Sequence, residues 1–128
     1  MDPSRLKAIP LFASVSDEEL GEIAPFAEEV SIAEGKDLVR EGDFSWQFMA
    51  IEEGDAEVLK NGEHVADLGP GDFFGEIGLL EKDRRTATVT AKSPMRLITL
   101  TGWDMKRMEK SMPQAVETIR NVLAERKS

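Results

Sequence analysis

Between Phe73 and Val89 the chain reads FFGEIGLLEKDRRTATV, and two of its residues carry chemistry of opposite sign. Arg85 offers a permanently charged, planar guanidinium whose fork matches two phosphate oxygens at once. Glu76 stands earlier, in Gly75-Glu76-Ile77-Gly78-Leu79-Leu80, a run too rich in glycine for a long helix and apolar enough to lie inside. A single helical turn fits it. Such a turn leaves its first backbone N–H groups without partners, and the glycines let a guest come close, so the turn can receive an anion. An ionised carboxylate only accepts hydrogen bonds. Glu76 beside an anion therefore makes sense where the guest also carries a hydroxyl, and ribose bearing a phosphate meets both demands. A strand expected at Thr86-Ala87-Thr88-Val89 would bring Arg85 back over the same N–H groups.

Composition narrows the partners. Lys+Arg number 16 against Asp+Glu 25, a formal net charge of −9, and nucleic-acid binding is driven mainly by cationic side chains neutralising phosphates. A small anion held by one local cluster survives this, because salt screens the wider repulsion beyond about 10 Å. At 128 residues the chain fits one compact domain, 1–128, with no room for a second. No apolar run reaches the roughly 18 residues of a membrane span, and the start, MDPSRLKAIP, lacks the apolar core of a secretory signal. The expectation is a cytoplasmic chain that needs no membrane. With no cysteine there is neither a disulfide framework nor a thiolate metal site.

The elements that must position Glu76 and Arg85 are short. Ser4 is placed to cap a helix that Pro10 stops. Ser16 followed by Glu19 has capping-box spacing, with Leu20, Ile23 and Ala24 at helical intervals behind it, which predicts a second helix ending near Pro25. From Val30 the chain breaks into short apolar pieces separated by Gly35, Gly42, Gly54, Gly62, Gly69 and Gly71, the pattern of a small barrel or double-sheet β roll. Asn61-Gly62 predicts a type I′ hairpin. With that tip, Lys60 faces Glu63 and Val58 faces Val65, two β-branched side chains forming a small apolar platform. Gly69-Pro70-Gly71-Asp72 is a turn, and GWDMKRMEK and PQAVETIRNVLAERKS are C-terminal helices.

From about Leu11 onward the chain resembles the cyclic-nucleotide-binding domain shared by catabolite-activator-type regulators, regulatory subunits of cAMP-dependent kinases and cyclic-nucleotide-gated channels. The motifs FGEIGLL and RRTATV look like that family's phosphate-binding cassette, and Gly35, Gly42, Gly54 and Gly71 extend the match. The resemblance implies a mainly β fold with flanking helices: a double-sheet, jelly-roll-like β roll with N-terminal helices, a short phosphate-binding helix and C-terminal helices. It implies that Glu76 accepts from the ribose 2′-hydroxyl, that Arg85 pairs with the cyclic phosphate, and that backbone groups of Gly75, Ile77 and Gly78 line phosphate and ribose. Thr86 and Ala87 would stand near the phosphate, and Val58 and Val65 would touch the purine. The ligand would be cAMP or cGMP, both allowed because a hydroxyl at Thr86 can also reach a guanine amino group, with cAMP favoured. No cofactor or metal is implied.

The chain departs from the family in places. Arg84 stands where many members have proline, and Met49 where an aromatic is common. No residue of the last helix is an obvious cap for the base; Arg120 is the candidate. Val116, Ile119, Val122 and Leu123 form an apolar stripe that could cover the pocket, pair with a second subunit or meet an effector protein. Other classes are poorly supplied. One histidine, His64, falls mid-hairpin beside no evident nucleophile, and one histidine cannot build a metal-dependent roll of the cupin type. The chain is expected not to be an enzyme. A regulator of this family would carry a DNA-reading helix-turn-helix beyond the last long helix, and the sequence stops at Ser128. The alternatives are therefore a degenerate binding fold used for protein docking, or the ligand-binding fragment of a regulator or channel.

Overall fold

The computed structural model describes residues 1–13, 15–45, 47–74, 83–111, 113, 114, 116, 117, 120 and 121. Two helices open the chain. In α1 (Pro3–Lys7) the cap is Asp2, whose carboxylate accepts from the Ser4 N–H at 3.0 Å, in place of the expected Ser4. The cap moves back because Pro3 has no N–H to leave unsatisfied and its φ suits the first turn. After a 3-10 turn at Pro10–Phe12 comes α2 (Asp17–Ile23), with the expected box: Ser16 Oγ accepts from the Glu19 N–H at 3.2 Å and the Glu19 carboxylate accepts from the Ser16 N–H at 3.4 Å. Pro25 sits in a second 3-10 turn, Ala24–Phe26.

Among the described residues ten strands follow: β1 (Glu28–Ile32), β2 (Asp37–Val39), β3 (Phe44–Ser45), β4 (Gln47–Glu53), β5 (Ala56–Lys60), β6 (Glu63–Leu68), β7 (Phe73–Phe74), β8 (Asp83–Arg84), β9 (Thr88–Ala91) and β10 (Met95–Thr101). They form two four-stranded antiparallel sheets, β1-β10-β4-β7 and β2-β9-β5-β6, and a two-stranded piece, β3-β8. The expected double-sheet roll with flanking helices is what the chain builds. Helix α3 (Gly102–Ser111) continues directly from β10, and residues 113, 114, 116, 117, 120 and 121 are again helical.

Two apolar layers explain why β4 and β10 are buried on both faces. Phe48, Ala50, Ile98 and Leu100 point to a cluster made with Leu6, Phe12, Leu20 and Ile23 of the N-terminal segment and Met105, Met108 and Val116 of the C-terminal one. Alternate residues, Met49, Ile51, Met95 and Leu97, point to a second cluster with Ala56, Val89 and Ala91 of the other sheet. A strand with period two that faces helices on one side and a sheet on the other must be apolar throughout. Met49 thus lies between the sheets.

The N-terminal helix is also held by charge. Arg5 donates through Nε to Glu52 at 2.9 Å and through Nη2 to Glu29 at 2.6 Å and to Glu52, while Arg96 reaches Glu52 at 3.1 Å and Glu53 at 2.7 Å. The hydrogen bond from Arg5 holds the Glu52 carboxyl below the usual glutamate range, with Arg96 adding to the effect.

Asn61 and Gly62 both have positive φ, 54° and 81°, and Lys60 faces Glu63, as a type I′ tip requires. The expected pairing of Val58 with Val65 does not form. Leu59 pairs with His64, then the register shifts and Val58 pairs with Ala66, leaving Val65 as the extra residue, 55% exposed. Such a bulge leaves one residue without a cross-strand partner and sharpens the local twist. Since β5 also pairs with β9, Val58 facing Val89, its register answers to two neighbours.

Candidate functional site

The turn Gly69-Pro70-Gly71-Asp72 closes as expected, the Asp72 N–H donating to the Gly69 carbonyl at 3.0 Å with Gly71 at φ 92°, and it delivers the chain into β7. Gly75, Glu76, Ile77 and Gly78, with the short helix read there, lie outside the described residues. Ile119, Val122 and Leu123 do so as well.

Arg85 is described and half-buried. It is not the first residue of a strand: β9 starts at Thr88, and Thr86 and Ala87 form a bend between β8 and β9. Three sets of bonds hold this bend in place. The Arg85 N–H donates to the Asp43 carbonyl and the Arg85 carbonyl accepts from the Gly42 N–H, both at 2.8 Å. Thr88 Oγ1 accepts from the Glu41 N–H at 2.9 Å, and the Glu41 carboxylate accepts from the Asn61 N–H at 3.0 Å, which ties the same loop to the hairpin tip. Gly42 has φ 88°, a conformation that lets the loop turn its N–H toward Arg85. Finally, Arg85 Nη2 donates to the backbone carbonyl of Gln47 in β4. The guanidinium is therefore oriented by a main-chain acceptor, a group that no residue type advertises. Gln47, Gly42 and Asp43 are the contributors that sequence reasoning missed; only Gly42 left a trace, as a turn glycine.

Thr86 is exposed and Ala87 half-buried, next to Arg85 on the bend. Val58 is half-buried and packs against the inter-sheet cluster. Through the Leu59–Thr88 and Val58–Val89 pairs, the hairpin strand β5 runs alongside the segment that carries Arg85. Val65 sits on the edge strand β6, on the bulge. Val58 thus lies on β5, Arg85, Thr86 and Ala87 lie on the segment that leads into its neighbour β9, and Val65 stands on the edge strand β6.

The remaining candidates have structural partners. Arg120 forms an ion pair with Glu109 at 2.9 Å, both side chains 45% exposed, so it links two helical segments. Val116 is 2% exposed in the helix-facing cluster. His64 lies 2.9 Å from Asp67, and that hydrogen bond holds the Asp67 carboxyl below its usual range. Among the described residues no group of three or more His, Cys, Asp or Glu side chains could hold a metal ion, and no helix is long and apolar enough to cross a membrane.

A half-buried guanidinium, aimed by a carbonyl and flanked by an exposed hydroxyl and an apolar sheet, can receive a phosphate with an attached ring. The family described as the cyclic nucleotide-binding domain matches residues 29–111. The regulatory subunit of cAMP-dependent protein kinase from Schizosaccharomyces pombe is 35% identical over 119 residues, 92% of this chain and 28% of the relative. A cyclic nucleotide-gated potassium channel from Rhizobium etli is 34% identical over 120 residues, 94% of this chain and 34% of the channel. The chain thus spans about a third or less of the length of these curated relatives. The solved N-terminal domain of a transcriptional regulator from Streptomyces coelicolor superposes with a TM-score of 0.84 at 29% identity, covering 91% of this chain and 87% of that domain. Kinase subunit, channel and regulator share this unit, and the chain belongs to the cyclic nucleotide-binding domain family.

Proposed function

We propose that the chain is a sensor or regulatory module that binds cAMP, with cGMP as the second choice, through its cyclic phosphate and ribose. The observation that carries this reading is the placement of Arg85: half-buried, its guanidinium aimed by the Gln47 carbonyl, within the stretch that matches the family. Arg85 takes the phosphate in bidentate fashion. Glu76 accepts from the ribose hydroxyl, and the backbone of Gly75, Ile77 and Gly78 supplies further contacts. Thr86 and Ala87 flank the phosphate, and Val58 touches the base with Val65 at the rim. Closure around the ligand shifts the C-terminal helices, which pass the signal to a second copy of the chain or to an effector protein. Such a shift requires the ligand to prefer one arrangement over the other. The reading places the protein in the cytoplasm and gives it no catalytic step.

Calorimetric titration with cAMP and cGMP tests it. A charge-assisted hydrogen bond contributes about 1.5–3 kcal/mol, so Arg85→Leu should weaken a micromolar ligand by tenfold or more. Equal affinities for the two proteins, or no heat with either nucleotide, would overturn the assignment.

A further inference from the structure

We propose that the capping box at the start of α3, Thr101 with Asp104, is a positioning device for the Arg85 guanidinium, acting through the rung that Thr101 shares with Gln47. The proposal rests on the function proposed above and names how that site is regulated.

Gln47 and Thr101 are the last paired residues of β4 and β10. Both are engaged by side chains at that rung. The Gln47 carbonyl accepts from Arg85 Nη2. The Thr101 N–H donates to Asp104 Oδ2 at 3.3 Å, Thr101 Oγ1 donates to the same oxygen at 2.8 Å, and the Asp104 N–H donates back to Thr101 Oγ1 at 3.1 Å. Thr101 is therefore at once the final residue of a strand and the cap of a helix. A carbonyl points in a fixed direction only as far as its strand end is fixed. Fraying at Thr101 frees the rung that aims Gln47, and with it the plane of the guanidinium. Phosphate recognition by a planar fork depends on that plane as well as on charge. Coupling between two sites is reciprocal. A phosphate that holds Arg85 in register must stabilise the α3 cap, and a lost cap must weaken the phosphate contact.

The chain contains its own control. Ser16 and Glu19 make the same kind of box for α2, but Ser16 belongs to no strand and shares no rung with Gln47. Titration with cAMP should be run on the unaltered chain, Thr101→Val, Thr101→Ser, Asp104→Ala and Ser16→Ala, each with a thermal unfolding curve. A cap is worth a few-fold in a local equilibrium, so Thr101→Val and Asp104→Ala should weaken cAMP about threefold to fivefold. Thr101→Ser should restore affinity, and Ser16→Ala should lower the melting temperature while leaving affinity unchanged. Equal effects on affinity from Thr101→Val and Ser16→Ala, or none from either, would overturn the proposal; should Thr101→Val fail to fold, Asp104→Ala decides.

A second measurement needs no nucleotide. Trp103, 66% exposed, is two residues beyond Thr101 at the start of α3. In a Trp46→Phe background its emission reports that helix start, and Arg85→Leu should shift it in the ligand-free protein. Unshifted emission would overturn the coupling whatever the titrations give. A shift in a chain that binds neither cAMP nor cGMP would instead uphold the coupling and remove the proposed ligand.

Discussion

Gly54→Ala isolates one point where chain conformation and close packing coincide. Gly54 lies between β4 and β5 with φ +95°, and a Cβ built there would stand 2.5 Å from the Pro94 carbonyl oxygen, 2.8 Å from Met95 Cγ and 2.9 Å from Met95 Cα. The first cost is conformational: positive φ in a residue with a Cβ is unfavourable by about 1 kcal/mol. The second is steric. Met95 Cγ can rotate away, but the Pro94 carbonyl and Met95 Cα belong to the backbone that leads into β10, the strand paired with both β1 and β4. Moving backbone of that kind costs roughly 1–3 kcal/mol. The sum is about 2–4 kcal/mol, a large part of a typical stability of about 5–15 kcal/mol. At about 4 °C per kcal/mol it lowers the melting temperature by roughly 8–16 °C. Gly35 supplies the comparison, since its φ is +86° and a Cβ there meets nothing within 4 Å. Gly35→Ala should therefore cost only the conformational part, about 1 kcal/mol. Urea unfolding followed by circular dichroism measures both. Losses equal to within about 0.5 kcal/mol would refute the reasoning, because the overlap with Pro94 would then have no energetic consequence.

Other outcomes follow from single contacts. Glu52→Gln should destabilise the protein by about 1–2 kcal/mol near neutral pH, because Arg5 and Arg96 lose a common, largely buried anion. The Glu52 carboxyl is held below its ordinary range in the folded chain, so its contribution is present above that range and is lost as pH falls through it; the gap between the two proteins in urea unfolding should close with acidification. Phe48→Ala should cost about 3–5 kcal/mol in the same assay, since Phe48 is fully buried with edge-on and tilted contacts to Phe12 and Phe73. Arg120→Ala should leave calorimetric cAMP affinity within about twofold, because the Arg120 side chain is half-exposed and paired with Glu109. A tenfold loss would make Arg120 the cap of the base.

Local rules were legible in the residues. The Ser16–Glu19 box, the Asn61-Gly62 tip and the Gly69-Pro70-Gly71-Asp72 turn each depend on conformations that neighbouring residues impose on one another, and all three formed as read. The failures differ in origin, one local and the other imposed by a loop distant in sequence. Ser4 has a good capping side chain, but Asp2 followed by Pro3 is better. Thr86 and Ala87 have strand-like alternation with Thr88 and Val89, yet the bonds from Gly42 and Asp43 to Arg85 bend the chain there.

What the sequence by itself determined is the inventory: alternating short strands between glycine turns, one deliberate cationic fork, and an acidic balance that rules the long-range field. What only the tertiary structure decided is direction. Val65 falls on a bulge between β5 and β6, while β5 keeps an unbroken register with β9. Met49 faces the second sheet while Phe48 faces the helices, a division made by what each face meets. Arg85 is aimed by the carbonyl of Gln47, on a rung whose other member caps α3. Main-chain carbonyls are the same at every residue, so which one a guanidinium finds is settled only when distant strands are laid side by side.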